Sequence, residues 1–427
     1  MRITVLTMGS RGDVQPYLAL AQGLLAAGHD VKLVTASNFR PLAESLNIPF
    51  VPVSANVVEL MQNEMGLQAM ESRNPIGFLS KMFEQVEPVM QSMTQEILAG
   101  CEDADLVVVS SLVLFVAQAI YDARGIPFVA AYPQPLLPTR DFQSIAAPPA
   151  PAWLPFKSMY NWWSHYLGLQ VLYQILRKPA NRVRKAVFNL PPMPLITSLA
   201  PIYRGDQHVL YGYSRHVIPA SHDLPSNVHL TGYWFVKSPA WQPPDDLVRF
   251  LDAGSAPIYI GFGSMTDRDP EMLTTMIIEA LRTTGQRAVL LSGWSGIGQM
   301  TLPDNIHVTD STSHEWLLPR MAAAIHHGGA GTTAASLRAG IPTVIVPFIA
   351  DQPFFGERVH KLGVGPRPIP RKELTAAALA NAIHTAVHDQ QIWDNAALLG
   401  DRIRAEDGVG EAVRVIEQYG TALRKHA

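Results

Sequence analysis

The chain has one cysteine, Cys101, in 427 residues, which excludes an intramolecular disulfide and any metal site built on several thiolates. Charged residues make up only 16% and nearly balance to a net charge of −3, so the basic face that holds nucleic acid is missing. The longest apolar stretch, Leu106 to Ile120, is broken by Ser110, Ser111 and Gln118 and is too short to span a bilayer. At the start there is no charged leader with a long apolar core. The chain goes straight into Ile3-Thr4-Val5-Leu6-Thr7-Met8, which predicts a cytoplasmic protein with scope for a peripheral membrane contact. A G-x-G-x-x-G fingerprint after this first strand is also lacking, which argues against nicotinamide binding.

Apolar residues, at 48%, are abundant enough for two cores, and the length predicts two domains of about 200 residues each. Short β-branched runs alternate with helical patterns: Ile3–Met8, Val31–Thr35, Leu106–Val109 and Phe128–Ala131 in the first half, then Ile258–Phe262, Ala288–Leu291, Ala323–Ile325 and Thr343–Val346 in the second. Strand–helix–strand alternation of this kind predicts doubly wound parallel sheets. The expected division is residues 1–236 for the first domain, a proline-rich linker over 237–246, and 247–427 for the second, with a C-terminal helix packing back on the first. Two such halves would face a cleft, where ligands collect at strand carboxyl ends. Within the first domain, 133–201 breaks the alternation with prolines, then Trp153, Phe156, Tyr160, Trp162, Trp163 and Tyr166, then a basic run. It reads either as an insertion whose aromatics pack on the domain or as an apolar lid that handles lipid-like molecules or rests on a membrane.

His326-His327-Gly328-Gly329-Ala330-Gly331-Thr332-Thr333 follows one strand and precedes a helical pattern. A small-residue turn at a helix start leaves backbone N–H groups free for a diphosphate, and side chains larger than Ala would block the approach. Thr332 adds a hydroxyl, and His327 a hydrogen bond or a positive charge. Such a turn without a ligand is the plain alternative. Downstream, Asp351-Gln352 at the end of another strand offers acceptor and amide groups suited to sugar hydroxyls, or simply a helix cap.

With these segments in order, the chain resembles the nucleotide-sugar glycosyltransferases built of two facing Rossmann-like domains, the GT-B fold. Its nearest likeness is to sterol 3-β-glucosyltransferases and the related antibiotic and macrolide glycosyltransferases. The blocks that carry the resemblance are Gly9-Ser10-Arg11-Gly12-Asp13-Val14-Gln15-Pro16, Gly261-Phe262-Gly263-Ser264-Met265, Gly293-Trp294-Ser295 and His326 through Gly365. The resemblance implies donor diphosphate contacts at His327, Gly329, Ala330, Gly331 and Thr332, with Gly263 and Ser264 facing them. It implies sugar contacts at Asp351 and Gln352, the nucleobase at Ser311, Thr312, Ser313 and His314, and further donor contacts at Ser10 and Arg11. A ribose-binding glutamate of the plant signature is replaced by Ala335, and no stacking aromatic is evident near Ser311, as in the sterol branch.

Asp13 lies where a base is needed to take the acceptor hydroxyl's proton as the sugar bond forms, opposite the departing diphosphate. One protein base and an in-line displacement imply inversion at the anomeric carbon. The competing role is a cap for a helix beginning near Gln15-Pro16. Arg11 is expected to offset leaving-group charge, so no metal or other cofactor is expected; two Asp-x-Asp pairs, Asp103/Asp105 and Asp267/Asp269, read as structural. The implied activity is transfer of a hexose, glucose foremost, from a UDP-sugar to a sterol, steroid or triterpenoid hydroxyl. The implied partners are therefore a nucleotide sugar and an apolar small molecule. Transfer to a polyketide or peptide aglycone, and a non-catalytic helper of another transferase, are the alternatives.

Overall fold

Strands form where aliphatic and β-branched residues run three to seven at a time between glycine- or polar-rich turns. The computed structural model describes residues 1–54, 86–151, 153–237, 241–263, 269–293, 297–298 and 300–426. Two compact units result: Met1–Arg215, Pro219–Lys237 and Asp407–Ala427 in unit 1, and His216–Ile218 with Ser238–Glu406 in unit 2.

Unit 1 carries seven strands, β1 (Arg2–Leu6), β2 (Asp30–Ala36), β3 (Phe50–Val53), β4 (Leu106–Val109), β5 (Phe128–Tyr132), β6 (Val209–Tyr211) and β7 (Val228–Leu230). They form one sheet in the order β3-β2-β1-β4-β5-β6-β7, every pairing parallel. Unit 2 has five, β8 (Ile258–Gly261), β9 (Ala288–Leu291), β10 (Ile306–Thr309), β11 (Ala323–His326) and β12 (Thr343–Ile345), in the parallel order β10-β9-β8-β11-β12. Strands β3, β6, β7 and β10 escaped the sequence reading. They have three or four residues each; β3, which contains Pro52, and β7 and β10 are edge strands.

The helix expected from Gln15 starts earlier, as α1 (Arg11–Ala26), with Ser10 as its N-cap and Pro16 inside it. Asp13 therefore sits in the first turn, three residues past the N-cap. Its carboxylate accepts from the Ser10 N–H as one half of a capping box, so the capping role expected of it is met in that form. Pro16 falls past the first turn, so α1 forgoes the backbone bond to the Gly12 carbonyl there. The segment 133–201 forms α2 (Lys157–Phe188), whose packing differs from that of an ordinary insertion. Trp162 stacks on Tyr166, yet Trp153, Phe156 and Trp163 are exposed.

In unit 2 the helices that matter to the site are α3 (Ala330–Ala339) and α4 (Gln352–Lys361). The last helix, α5 (Gly408–His426), belongs to unit 1: Ala412, Val413, Val415 and Ile416 enter the same core as the β1, β2 and β4 side chains. Gly23 of α1 lies so close to Val409 that a β-carbon there would collide with it. His29 pairs with Glu417 at 3.2 Å, and the Tyr419 ring packs 4.5 Å from His208.

Candidate functional site

In an open parallel sheet, two neighbouring strands whose connections leave in opposite directions open a crevice at their carboxyl ends. Sheet order puts that switch between β1 and β4 in unit 1 and between β8 and β11 in unit 2. The Gly9–Asp13 turn follows β1, the Phe262-Gly263 turn follows β8, and the His327–Gly329 turn follows β11. The key segments of both units thus stand at the positions where each fold leaves room for a ligand.

In unit 1 the Ser10 N–H and Oγ–H both donate to one oxygen of Asp13, Oδ2, at 2.8 Å each. Thr7 Oγ1 donates to the Asp13 carbonyl at 2.9 Å, fixing the turn from the strand side. Gly9 has φ +131°, and a β-carbon on it would stand 2.5 Å from Asp13 Oδ2, so only glycine lets the carboxylate fold over the turn. Oδ1 has no hydrogen-bond partner among the described residues. Lost hydration raises the Asp13 pKa above the ordinary carboxylate value, and the two Ser10 bonds oppose that rise. A carboxylate with one oxygen anchored, the other open and a raised pKa is suited to accepting a proton. Arg11 is exposed and its Nε donates to Gln15 Oε1 at 3.3 Å, so the side chain lies along its own helix.

In unit 2, register places His326 beside Gly261, bringing the turns after β11 and β8 together. The His327 ring is clamped by glycines: a β-carbon on Gly263 would lie 3.1 Å from its Cε1, and one on Gly329 would lie 2.5 Å from its Nε2. Gly328 has φ +90°, and a β-carbon there would meet Ile345 Cγ2 at 2.7 Å and the Gln352 carbonyl at 3.1 Å. The structure therefore packs the glycine turn directly on the Asp351-Gln352 segment. Burial, reinforced by nearby His314, pulls the His327 pKa down to about 4, so the positive charge expected of it is absent at neutral pH in the unliganded chain. Its Nδ1 is buried without a hydrogen-bond partner, a costly state for a polar atom that a ligand would relieve.

Beyond His327, α3 begins at Ala330 with Gly329 as an extended N-cap that offers no side chain. Its first internal backbone bond runs from Thr333 N–H to the Gly329 carbonyl at 3.0 Å, which leaves the N–H groups of Ala330, Gly331 and Thr332 at the open end. Gly331 is exposed, and an added β-carbon would meet nothing within 4 Å. An electropositive helix end with open space before it can take a diphosphate.

Gln352 Oε1 accepts from the Phe348 and Ile349 N–H groups at 2.7 and 3.1 Å, so its carbonyl braces the loop after β12. Asp351 occupies the N-cap position of α4, but its side chain makes no capping bond. Between them and the strand, Ala350 is held at φ +58°, a strained conformation for a residue with a β-carbon. In the segment implied for the nucleobase, Ser313 caps a short helix through Trp316 N–H, and His314 Nε2 lies 3.0 Å from the buried Tyr259 hydroxyl. Two features were missed in the sequence: the Tyr259–His314 link beneath His327, and Trp316, whose ring meets Arg320 at 4.1 Å and Trp241 at 5.4 Å. Local spacing gives no signal for either, since Tyr259 and Trp241 come from distant segments. Ser264, Trp294 and Ser295 lie outside the described residues.

The Asp-x-Asp pairs are structural where described. Asp105 takes Arg2 at 2.7 Å, Asp103 takes Lys32, and Asp269 caps its helix by accepting from Met272 N–H at 2.8 Å; Asp267 lies outside the described residues.

Residues 3–140 match the glycosyltransferase family 28 N-terminal domain, and residues 289–418 match the erythromycin biosynthesis protein CIII-like C-terminal domain. Among solved structures, the spinosyn forosaminyltransferase SpnP superposes with a TM-score of 0.68, covering 99% of both chains at 18% identity. The calicheamicin glycosyltransferase CalG4 gives 0.65, covering 99% of this chain and 98% of its own at 17% identity. The two parallel sheets and these superpositions show the fold of these solved glycosyltransferases, the GT-B fold. Over its whole length the chain is 36% identical to the sterol 3-beta-glucosyltransferase of Emericella nidulans, and over 99% of its length 34% identical to that of Komagataella phaffii. Over its length the chain is thus similar to sterol 3-beta-glucosyltransferases. The chain spans 30% of the first of these relatives and 35% of the second, about a third of their length.

Proposed function

We propose that this chain transfers a hexose, glucose foremost, from a UDP-sugar to the hydroxyl of a sterol, steroid or triterpenoid with inversion at the anomeric carbon. The observation that carries the reading is His327: a neutral imidazole with a buried, unpartnered Nδ1, clamped by glycines beside an open helix start. In this scheme the N–H groups of Ala330, Gly331 and Thr332 and the His327 ring receive the diphosphate. Gly263 and Ser264 flank it, and Ser311 to His314 lie toward the base. Asp351 and Gln352 meet the sugar hydroxyls.

The acceptor oxygen attacks the anomeric carbon, the bond to the diphosphate oxygen breaks, and UDP leaves. Asp13 takes the hydroxyl proton on its open oxygen while Ser10 holds the other. Charge on the departing UDP is met by the helix start, with Ser10 and Arg11 as further donor contacts, so no metal is required. Retention of an open carboxylate and an imidazole with a buried, unbonded Nδ1 argues against a non-catalytic helper, which has no chemical need of either. An apolar acceptor suits a cytoplasmic protein that rests at a lipid surface, and among the described residues no helix is long and apolar enough to cross a membrane.

A second reading, transfer from dTDP-sugars to polyketide aglycones, is favoured by the CIII-like C-terminal match. Purified protein incubated with UDP-glucose or dTDP-glucose and a panel of sterols and polyketide aglycones, with EDTA present, separates the two. A β-configured sterol glucoside from UDP-glucose, found by mass and by the anomeric proton coupling, is the expected product. A dTDP-dependent aglycone product alone would favour the second reading. No product, no donor hydrolysis and no donor binding would overturn both, and a strict loss with EDTA would overturn the metal-free scheme.

A further inference from the structure

The N-terminal half of α2 is turned inside out. Its inward face is polar: Asn161 donates to the Arg140 carbonyl at 2.9 Å, His165 bonds the Phe142 carbonyl at 3.1 Å, and Ser164 Oγ accepts from Ser144 N–H at 2.9 Å. The outward face is apolar. Trp153 and Phe156 are 79% and 67% exposed, and Met159, Trp163 and Leu167 continue the exposed stripe at intervals of three and four residues. Farther along, Gln170 and Gln174 donate to the carbonyls of Thr197 and Leu195, which fixes exposed Leu195 and Ile196 against the same side of the helix. An amphipathic helix in water orients the other way, and a contiguous exposed patch of this kind marks an interaction surface.

Charge identifies the partner. From residue 142 to residue 205 the sequence holds seven Lys and Arg residues and no Asp or Glu, although the whole chain is net acidic. Four of the seven are engaged by the protein: Arg182 with Glu87, Arg184 with Asp122, Arg204 with Asp206, and Arg177 with the Met193 and Pro194 carbonyls. Lys157, Lys178 and Lys185 are exposed and make no ion pair among the described residues. Lys185 follows Leu167 by about five helical turns, and Lys178 falls within about 60° of Trp163 on the helical wheel, so these cations share the apolar side.

We propose that the outward face of α2, with Leu195 and Ile196, is a docking surface for an anionic lipid bilayer. The aromatic and aliphatic side chains enter the headgroup boundary, and the lysines meet lipid phosphates. The function above enters only in that its acceptors reside in such a bilayer; lipid docking itself needs no turnover.

The test is co-sedimentation with vesicles of phosphatidylcholine, with and without phosphatidylglycerol, for wild type, Trp163→Glu/Leu167→Glu and Lys178→Glu/Lys185→Glu. Wild type is expected to bind the phosphatidylglycerol vesicles about tenfold more tightly than neutral ones. The first variant should lose about tenfold on the anionic vesicles, and the second should lose the preference for them. Both should stay folded and keep the wild-type UDP-glucose affinity. Wild type that ignores anionic vesicles, or apolar-face variants that bind as wild type does, would overturn the proposal. So would a wild-type dimer that the Trp163/Leu167 variant dissociates, since a second copy of the chain would then cover the stripe. Vesicle binding as expected without any UDP-glucose binding would leave the docking surface standing and remove the donor chemistry instead.

Discussion

At the scale of the residue, Asp13 is defined by what its two oxygens do. Oδ2 is held by Ser10 and Oδ1 is open, so Asp13→Asn keeps the turn but removes the proposed proton acceptor. Turnover is expected to fall by about 10²- to 10⁴-fold with donor affinity preserved, as single-turnover rates and calorimetry with UDP will read. Since burial raises the Asp13 pKa, the acid limb of the rate profile should lie above the ordinary carboxylate range. Ser10→Ala removes a hydrogen bond that favours the charged form, so it should move that limb to still higher pH. An unchanged limb in Ser10→Ala would separate the profile from Asp13. The glycines of the other unit divide by their surroundings. Gly331 faces open space, so Gly331→Val should fold normally and weaken UDP binding about tenfold or more, as titration will show. Gly328, at φ +90° and hard against Ile345, should lose about 1–3 kcal/mol on conversion to Ala, as urea unfolding will measure.

At the scale of the element, α5 shows how a helix can belong to a unit far from it in sequence. Ile416 is fully buried in the core that the unit 1 strands build, and Gly23 is flat so that Val409 can approach. Ile416→Ala should therefore lower the stability of unit 1 by about 2–5 kcal/mol. Limited proteolysis should then cut unit 1 first, which would not happen if α5 were a loosely attached tail. The apolar repeat of this helix is plain in sequence, but which surface receives it is not. Likewise, Pro16 reads in sequence as a first-turn proline, which puts the start of α1 near Gln15, four residues past its true start at Arg11. The hydrogen bonds of Ser10 and Asp13 outweigh that local preference.

At the scale of the whole molecule, stability should vary with pH through buried histidines. His327 has its pKa lowered by burial from 6.5 to about 4, and burial lowers that of His326 as well. Between those pH values the unfolded chain binds more protons than the folded one, so this contribution is complete above about pH 6.5 and is lost as pH falls toward 4. Denaturant unfolding of the wild type should show stability dropping from pH 7.5 to 5. His327→Asn should show a shallower drop, and an equal slope would remove His327 from the account.

The sequence by itself determined the alternation of elements, the two parallel sheets and the turns that bear Asp13, His327 and Asp351, because strand periodicity and small-residue turns are local properties. Resemblance in ordered blocks pointed to the glycosyltransferases as the family it is similar to. Tertiary structure alone decided which turns meet at each switch point and that His327 is neutral with an unpartnered nitrogen. It also decided that α5 completes the first core and that α2 shows its apolar face outward. Each of these depends on burial and on neighbours brought from distant positions, and desolvation has no signature in local spacing.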